Sequence, residues 1–160
     1  MLLTGTFARS IDEKLRVAIP KRLRETLGCP IGGNLYVAPG TDGSLAIYSE
    51  EAFGQWGERL KNAPPTQRDV RAFTRLFYAQ AQRVELDRQG RIRLPADLAR
   101  LARLEKDAVL LGVQDHLELW ATEQWKRYLA EQQVRYDEIA EAALGGPSRP
   151  GAETGVAENT

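Results

Sequence analysis

Two stretches of this chain repeat each other at a fixed separation, and a duplicated unit limits the possible folds more than any other feature. Ile11-Asp12-Glu13-Lys14-Leu15-Arg16-Val17-Ala18-Ile19-Pro20-Lys21-Arg22-Leu23 aligns with Leu86-Asp87-Arg88-Gln89-Gly90-Arg91-Ile92-Arg93-Leu94-Pro95-Ala96-Asp97-Leu98 at a constant offset of 75 residues. Asp12, Arg16, Pro20 and Leu23 recur as Asp87, Arg91, Pro95 and Leu98, and Ile11, Val17 and Ile19 meet apolar counterparts. Downstream, Leu45-Ala46-Ile47-Tyr48 answers Leu117-Glu118-Leu119-Trp120 at an offset of 72, and Gln55-Trp56 answers Gln124-Trp125 at 69. Shorter loops in the second copy produce such shrinking offsets, so the chain holds two copies of one unit.

Local signals follow one order in each copy. Alternation through Val84, Leu86, Ile92 and Leu94 predicts two half-buried strands around an Asp-x-x-x-Arg connection. Pro20 and Pro95 are placed in the first turn of a short helix, where a missing N–H costs nothing. A hairpin follows: Leu35-Tyr36-Val37 and Leu45-Ala46-Ile47-Tyr48 flank Gly40-Thr41-Asp42-Gly43-Ser44, whose Asp-Gly step favours a tight turn. The second copy repeats it around Gln114-Asp115. Ser49 is the expected N-cap of a helix carrying Phe53, Trp56 and Leu60 that ends at Pro64-Pro65. Thr66 and Asp69 suggest a capping box for a connecting helix with Val70, Phe73, Leu76 and Phe77. A last helix is expected from about Thr122, with Trp125, Leu129, Tyr136 and Ile139 on one face.

The 160 residues carry 22 Lys+Arg against 22 Asp+Glu, which argues against coating of nucleic acid or anionic lipid by bulk charge. Charge is nonetheless unevenly placed. Residues 1–27 hold six basic and three acidic residues, 81–106 hold seven and four, and 122–144 hold three and five. The two basic segments are the repeated ones. Arg16 has Lys21, Arg22 and Arg24 beside it; Arg91 has Arg83, Arg88, Arg93 and Arg100, and strand alternation puts Arg91 and Arg93 on one face. Such clusters on a duplicated scaffold form an electrostatic footprint for phosphate backbone, and arginine can also read guanine edges. Asp12 and Asp87 are expected to hold the turns, by accepting backbone amides or pairing with the arginines.

The duplicated Asp-x-x-x-Arg turn entering an apolar-x-apolar-Pro helix, with the opening Gly5-Thr6-Phe7, resembles the MraZ family of bacterial transcriptional regulators over roughly residues 1–144. The resemblance implies an α+β fold: tandem AbrB-like swapped-hairpin β units, forming a pseudo-two-fold β-barrel, with flanking helices. It divides the chain into a first SpoVT-AbrB-like unit at 1–51, connecting helices at 52–80, a second unit at 81–124 and a C-terminal helix at 125–144; beyond it, Gly145-Gly146-Pro147-Ser148-Arg149-Pro150-Gly151 and a polar end cannot bury a face, so 145–160 is expected to be a disordered tail. It further implies a ring-shaped homo-oligomer that binds short direct repeats in its own promoter, within the division and cell-wall gene cluster; the single Cys29, which cannot pair within the chain, fits a reducing cytoplasm, and a nucleoid-associated protein is expected.

The family's Asp-x-Lys-Gly-Arg turn falls on Asp12, Lys14, Leu15 and Arg16, and on Asp87, Gln89, Gly90 and Arg91. Leu15 stands where the family has glycine, so the first turn either avoids a positive φ or tolerates one under strain. Gln89 replaces a lysine, and copy one is therefore expected to dominate contact with DNA while copy two serves packing and ring closure. Arg16, with Arg24 as a second candidate, is assigned to base edges or groove phosphates. Lys14, Lys21 and Arg22 are assigned to the backbone, Arg91 and Arg93 to the second basic face, and Asp12, Asp87 and Gly90 to turn structure.

No enzyme is expected, and no cofactor, metal or small-molecule substrate. His116 reads as a solvated turn residue and Cys29 as a small packing residue, and one cysteine with one histidine cannot complete a structural zinc site. The N-terminus lacks a signal-peptide pattern and no apolar stretch is long enough for a membrane span, so no membrane partner is expected. The alternative to a DNA binder is an oligomeric scaffold or protein-interaction module, with Phe53, Trp56, Trp125 and Tyr128 as interface aromatics.

Overall fold

The computed structural model describes residues 1–145, so the tail expected at 145–160 lies, apart from Gly145, outside the described residues. They fall into two compact units, Met1–Trp125 and the chain from Lys126 onward. The first copy contributes β1 (Thr6–Ser10), β2 (Arg16–Ala18), α1 (Lys21–Leu27), β3 (Asn34–Pro39) and β4 (Leu45–Ser49). Helices α2 (Glu50–Lys61) and α3 (Arg68–Gln80) follow. The second copy contributes β5 (Gln82–Glu85), β6 (Arg91–Arg93), α4 (Ala96–Leu101), β7 (Asp107–Val113) and β8 (His116–Ala121). Helices α5 (Thr122–Gln133) and α6 (Tyr136–Leu144) close the described chain. The fold is α+β.

Strand pairing interleaves the copies. One antiparallel sheet runs β1-β7-β8-β4-β3-β5, and β2 pairs with β6 in a separate two-stranded ribbon. Exchanging every strand for its counterpart reverses the sheet order and leaves it otherwise unchanged, as a two-fold axis between β4 and β8 requires. The first strand of each copy completes the hairpin of the other: β1 lies on β7 and β5 lies on β3. Either copy alone would therefore leave backbone donors and acceptors of its hairpin edge unpaired.

The period-2 pattern sorts each strand onto two faces. Leu35, Val37, Leu45, Ile47, Leu117 and Leu119 enter the main core with Val17, Ile92 and Leu94. Tyr36, Ala38, Ala46 and Tyr48 face the other way, where Ala52, Phe53 and Trp56 of α2 and Phe77 of α3 cover them. Phe53 stacks on Tyr36 with ring centroids 4.4 Å apart. Phe53 and Trp56, expected as candidate interface aromatics, are thus packed within the chain.

The helix boundaries follow local chemistry with three differences from expectation. Ser49 caps α2 as predicted, its hydroxyl accepting from the Ala52 amide at 3.1 Å. Pro20 and Pro95 are N-caps rather than first-turn residues, because ψ values of 140° and 133° keep them extended while their carbonyls accept the first helical amides. The Thr66–Asp69 capping box does not form. Gln67 is the cap without a side-chain bond, and Arg71 Nη1 donates instead to the carbonyls of Pro65 and Thr66. The single closing helix is two helices, α5 and α6, separated by Val134 and Arg135. Among the described residues no helix is long and apolar enough to cross a membrane.

Candidate nucleic-acid interface

The two Asp-x-x-x-Arg turns have the same internal bonding. In the first, Asp12 Oδ1 accepts the amides of Lys14 at 3.0 Å and Arg16 at 2.8 Å, while Oδ2 accepts Arg16 Nε at 2.6 Å. In the second, Asp87 Oδ1 accepts the amides of Gln89 and Arg91, each at 2.9 Å, and Oδ2 accepts Arg91 Nε at 3.0 Å. A carboxylate that gathers two turn amides and a guanidinium favours its own charged form. The Arg16 amide, ahead of the guanidinium, holds Asp12 below the ordinary aspartate value, against a smaller opposing effect of burial. Asp87 is lowered the same way by Arg91.

That direction fixes a pH dependence. A carboxylate whose folded value is depressed stabilises the fold above its unfolded value, and the stabilisation is lost as pH falls through the folded value. The stabilisation from the two turn carboxylates, read as the difference in urea midpoint between the wild type and the Asp12→Asn/Asp87→Asn chain, is expected to hold from neutral pH to about 4 and to fall below it, where free aspartate titrates. The Asp12→Asn/Asp87→Asn chain is expected to be less stable at pH 7 and flatter in acid. Equal acid slopes for the two chains would show that the turn carboxylates contribute nothing.

The ribbon then brings both turns together. Val17 pairs with Ile92, and Arg16 and Ala18 pair with Arg93 and Arg91. Val17 and Ile92 are fully buried, so the opposite face, carrying Arg16, Arg91 and Arg93, points away from the core. Like charges directly opposite on a ribbon are unfavourable, by roughly the 0.2–1 kcal/mol that favourable cross-strand pairs contribute. Burying two aliphatic side chains contributes about 1.5–3 kcal/mol each, which outweighs that repulsion. The core thus forces two arginines from different copies against each other. Arg91 also donates to Gln89 Oε1 at 2.9 Å and lies 3.8 Å from Asp12, so the turns are electrostatically joined.

Turn one keeps the positive φ, at 61° for Leu15, and turn two has Gly90 at 75°. The left-handed conformation costs a side-chain-bearing residue roughly 1–2 kcal/mol, which the packing of Leu15 against the main core opposes. Each turn is tied to the other copy by a backbone bond: the Ile19 amide donates to Gly90 at 2.9 Å and the Leu94 amide to Leu15 at 2.8 Å.

Arg24 occupies a position that sequence reasoning missed. Its Nε donates to the Ile19 carbonyl at 3.0 Å, and its guanidinium lies over Gly90, where an added Cβ would be 2.8 Å from the guanidinium carbon. The pseudo-symmetric helix position is Ala99, which is buried. Glycine in a turn is therefore matched with arginine above it, and leucine in the other turn with alanine. The signal was present, since Arg24/Ala99 and Leu15/Gly90 share the offset of 75.

The other expected residues divide. Lys14 is exposed on its turn and Lys21 is exposed, 3.9 Å from Glu25. Arg22 lies over the Phe7 ring at 5.6 Å, and its Nη2 donates to the Thr4 carbonyl at 3.4 Å. Arg100 is paired with Asp97 on α4. Turn two carries Arg88 where turn one carries Glu13, so the charge lost at Gln89 is restored one residue earlier.

His116 is not a solvated turn residue. It begins β8, stacks on Tyr48 with centroids 5.2 Å apart, and its nitrogens face Asp115 at 2.7 Å and Glu118 at 3.3 Å. Burial disfavours its cation, but the two carboxylates outweigh burial and raise its pKa. Cys29 is buried with its pKa raised by desolvation, so it is a poor nucleophile.

A family model described as "MraZ protein, putative antitoxin-like" matches residues 2–76 and 77–145, one match per copy. Curated relatives named "Transcriptional regulator MraZ" are similar along nearly their whole length. That of Alkaliphilus oremlandii is 40% identical over 139 residues, covering 87% of this chain and 94% of the relative. That of Limosilactobacillus reuteri is 41% identical over 140 residues, covering 88% and 96%. That of Lactiplantibacillus plantarum is 39% identical over 137 residues, covering 86% and 94%.

Proposed function

Because this chain belongs to the MraZ family, we propose that it is a DNA-binding transcriptional regulator whose contact surface is the outer face of the β2–β6 ribbon with its two turns. The observation that carries the proposal is the pairing of Arg16 with Arg93 over a buried Val17–Ile92 pair. Packing would be served equally by neutral residues on the outer face, and the arginines there supply what a phosphate backbone or a guanine edge requires. The ribbon joins both copies, so we assign contact to one composite face: Arg16, Arg91 and Arg93 with Lys14, and Lys21 and Arg22 at the start of α1. Arg24 acts indirectly, by shaping the second turn.

In this proposal the protein works in the cytoplasm at the nucleoid, as a ring-shaped homo-oligomer on short direct repeats in its own promoter, within the division and cell-wall cluster. One ribbon with a few cationic contacts binds weakly. A ring presenting it to evenly spaced repeats gains affinity through effective concentration, so repeat spacing contributes to specificity. Overall neutrality limits adhesion elsewhere. Footprinting on the DNA immediately upstream of the gene tests this. Evenly spaced protections that weaken steeply with salt are expected; no protection at low salt would sink the proposal.

A further inference from the structure

Helices α2 and α3 enclose a groove of about 440 Å³ whose floor includes Gly57, Leu60 and Val70 and whose rim carries Lys61, Arg71 and Arg75. Gly57 leaves it open: a Cβ there would reach only Tyr78, whose hydroxyl would be 3.5 Å away. Its apolar floor and cationic rim suit an amphipathic helix with an acidic flank.

Helix α6 has that chemistry. It is exposed along its length apart from the partly covered Ala140. Tyr136, Ile139, Ala140 and Ala143 follow one another at helical spacing, and Tyr136 is 65% and Ile139 36% exposed. Asp137 stands on one flank of this stripe with Glu141 one turn on, at i, i+4, and Glu138 lies toward the back of the helix, paired with Arg135. Arg71 and Arg75 have the same i, i+4 spacing on α3, so the acidic and basic rows match in sign and in pitch. Arg71 keeps its bonds to the Pro65 and Thr66 carbonyls, which turn it along the rim.

We infer that the α2–α3 groove of one protomer receives α6 of a second copy of this chain. The contact is heterologous, since groove and helix are different surfaces, and a heterologous contact repeated around a closing rotation gives a ring. The inference rests on the ring assembly proposed above and supplies its interface; DNA takes no part in it.

Sedimentation of the full-length chain without DNA tests it with two variants. Gly57→Glu/Arg75→Glu blocks the groove, and replacing glycine inside α2 favours that helix. Ile139→Lys/Glu141→Lys spoils α6 at positions that are already exposed. Each variant alone is expected to sediment as a folded monomer by circular dichroism where the wild type assembles. An equimolar mixture is expected to form a one-to-one dimer, because one partner retains the helix and the other the groove. A variant that still assembles like the wild type, or a mixture that stays monomeric, would overturn this interface and leave the DNA-binding reading intact. A monomeric wild type would overturn both the interface and the ring.

Discussion

An Arg16→Ala chain is expected to lose retention of upstream DNA at moderate salt while remaining folded and assembled. Losing one arginine contact to a base edge or phosphate costs about 1–3 kcal/mol, or roughly tenfold to hundredfold in affinity. Because the proposed assembly repeats the ribbon, the loss compounds over every engaged protomer, and the observed effect exceeds what one contact carries. Stability changes less. Removing Arg16 breaks its 2.6 Å pair with Asp12 but also relieves its opposition to Arg93 across the ribbon, and the buried Val17–Ile92 pair is untouched. Electrophoretic retardation over a salt series, beside sedimentation and a urea melt, separates these effects. Arg16→Lys is expected to bind at an intermediate level, because lysine keeps the charge but not the planar fork. Retardation by Arg16→Ala equal to the wild type would remove the ribbon from the interface.

The second large effect is at Gly90. Gly90→Leu gives turn two the residue found in turn one, yet it is expected to destabilise the fold by about 2–3 kcal/mol. Left-handed strain accounts for roughly 1–2 kcal/mol of this, and a displaced Arg24, whose bond to the Ile19 carbonyl is worth about 1 kcal/mol, accounts for the rest. Arg24→Ala alone is expected to cost about 1 kcal/mol. The double variant Gly90→Leu/Arg24→Ala recreates the Leu15–Ala99 combination and is expected to be at least 0.5 kcal/mol more stable than the sum of the single effects. Urea melts of the four chains measure this coupling; strict additivity would mean that Arg24 and Gly90 do not act as a pair. The same cycle read by DNA retardation tests whether Arg24 serves binding through turn two: Arg24→Ala should weaken binding less than Arg16→Ala.

Much of the scaffold was legible because its signals are local. The Asp42-Gly43 turn, where both residues have positive φ, follows from the conformations those residue types adopt, and the Ser49 cap follows from one hydroxyl and the amide three residues on. The turn carboxylates were legible for the same reason, since Asp12 and Asp87 bond within four residues of themselves. Resemblance to the MraZ family implied swapped hairpins, and the exchange of β1 and β5 between copies agrees with it. The environment of His116 was not legible, because the ring of Tyr48 that it stacks on comes from a strand far away in the chain. Arg24 carried a readable pattern at the repeat offset, but only contact with Gly90 gives that pattern a cause.

By itself, the sequence determined the duplication, the order of strands, turns and short helix within each copy, and the local bonds of the turns and of the Ser49 cap. These depend on periodicity and on bonds between near neighbours. The tertiary structure alone decided that the turn arginines of the two copies share one face, with Arg16 opposite Arg93. Ladder hydrogen bonds join backbone groups that are alike in every residue, so side-chain alternation says which way a residue points and not which strand lies beside it. Partner choice is settled only when the whole core closes, and here closure pairs the strands across the two copies.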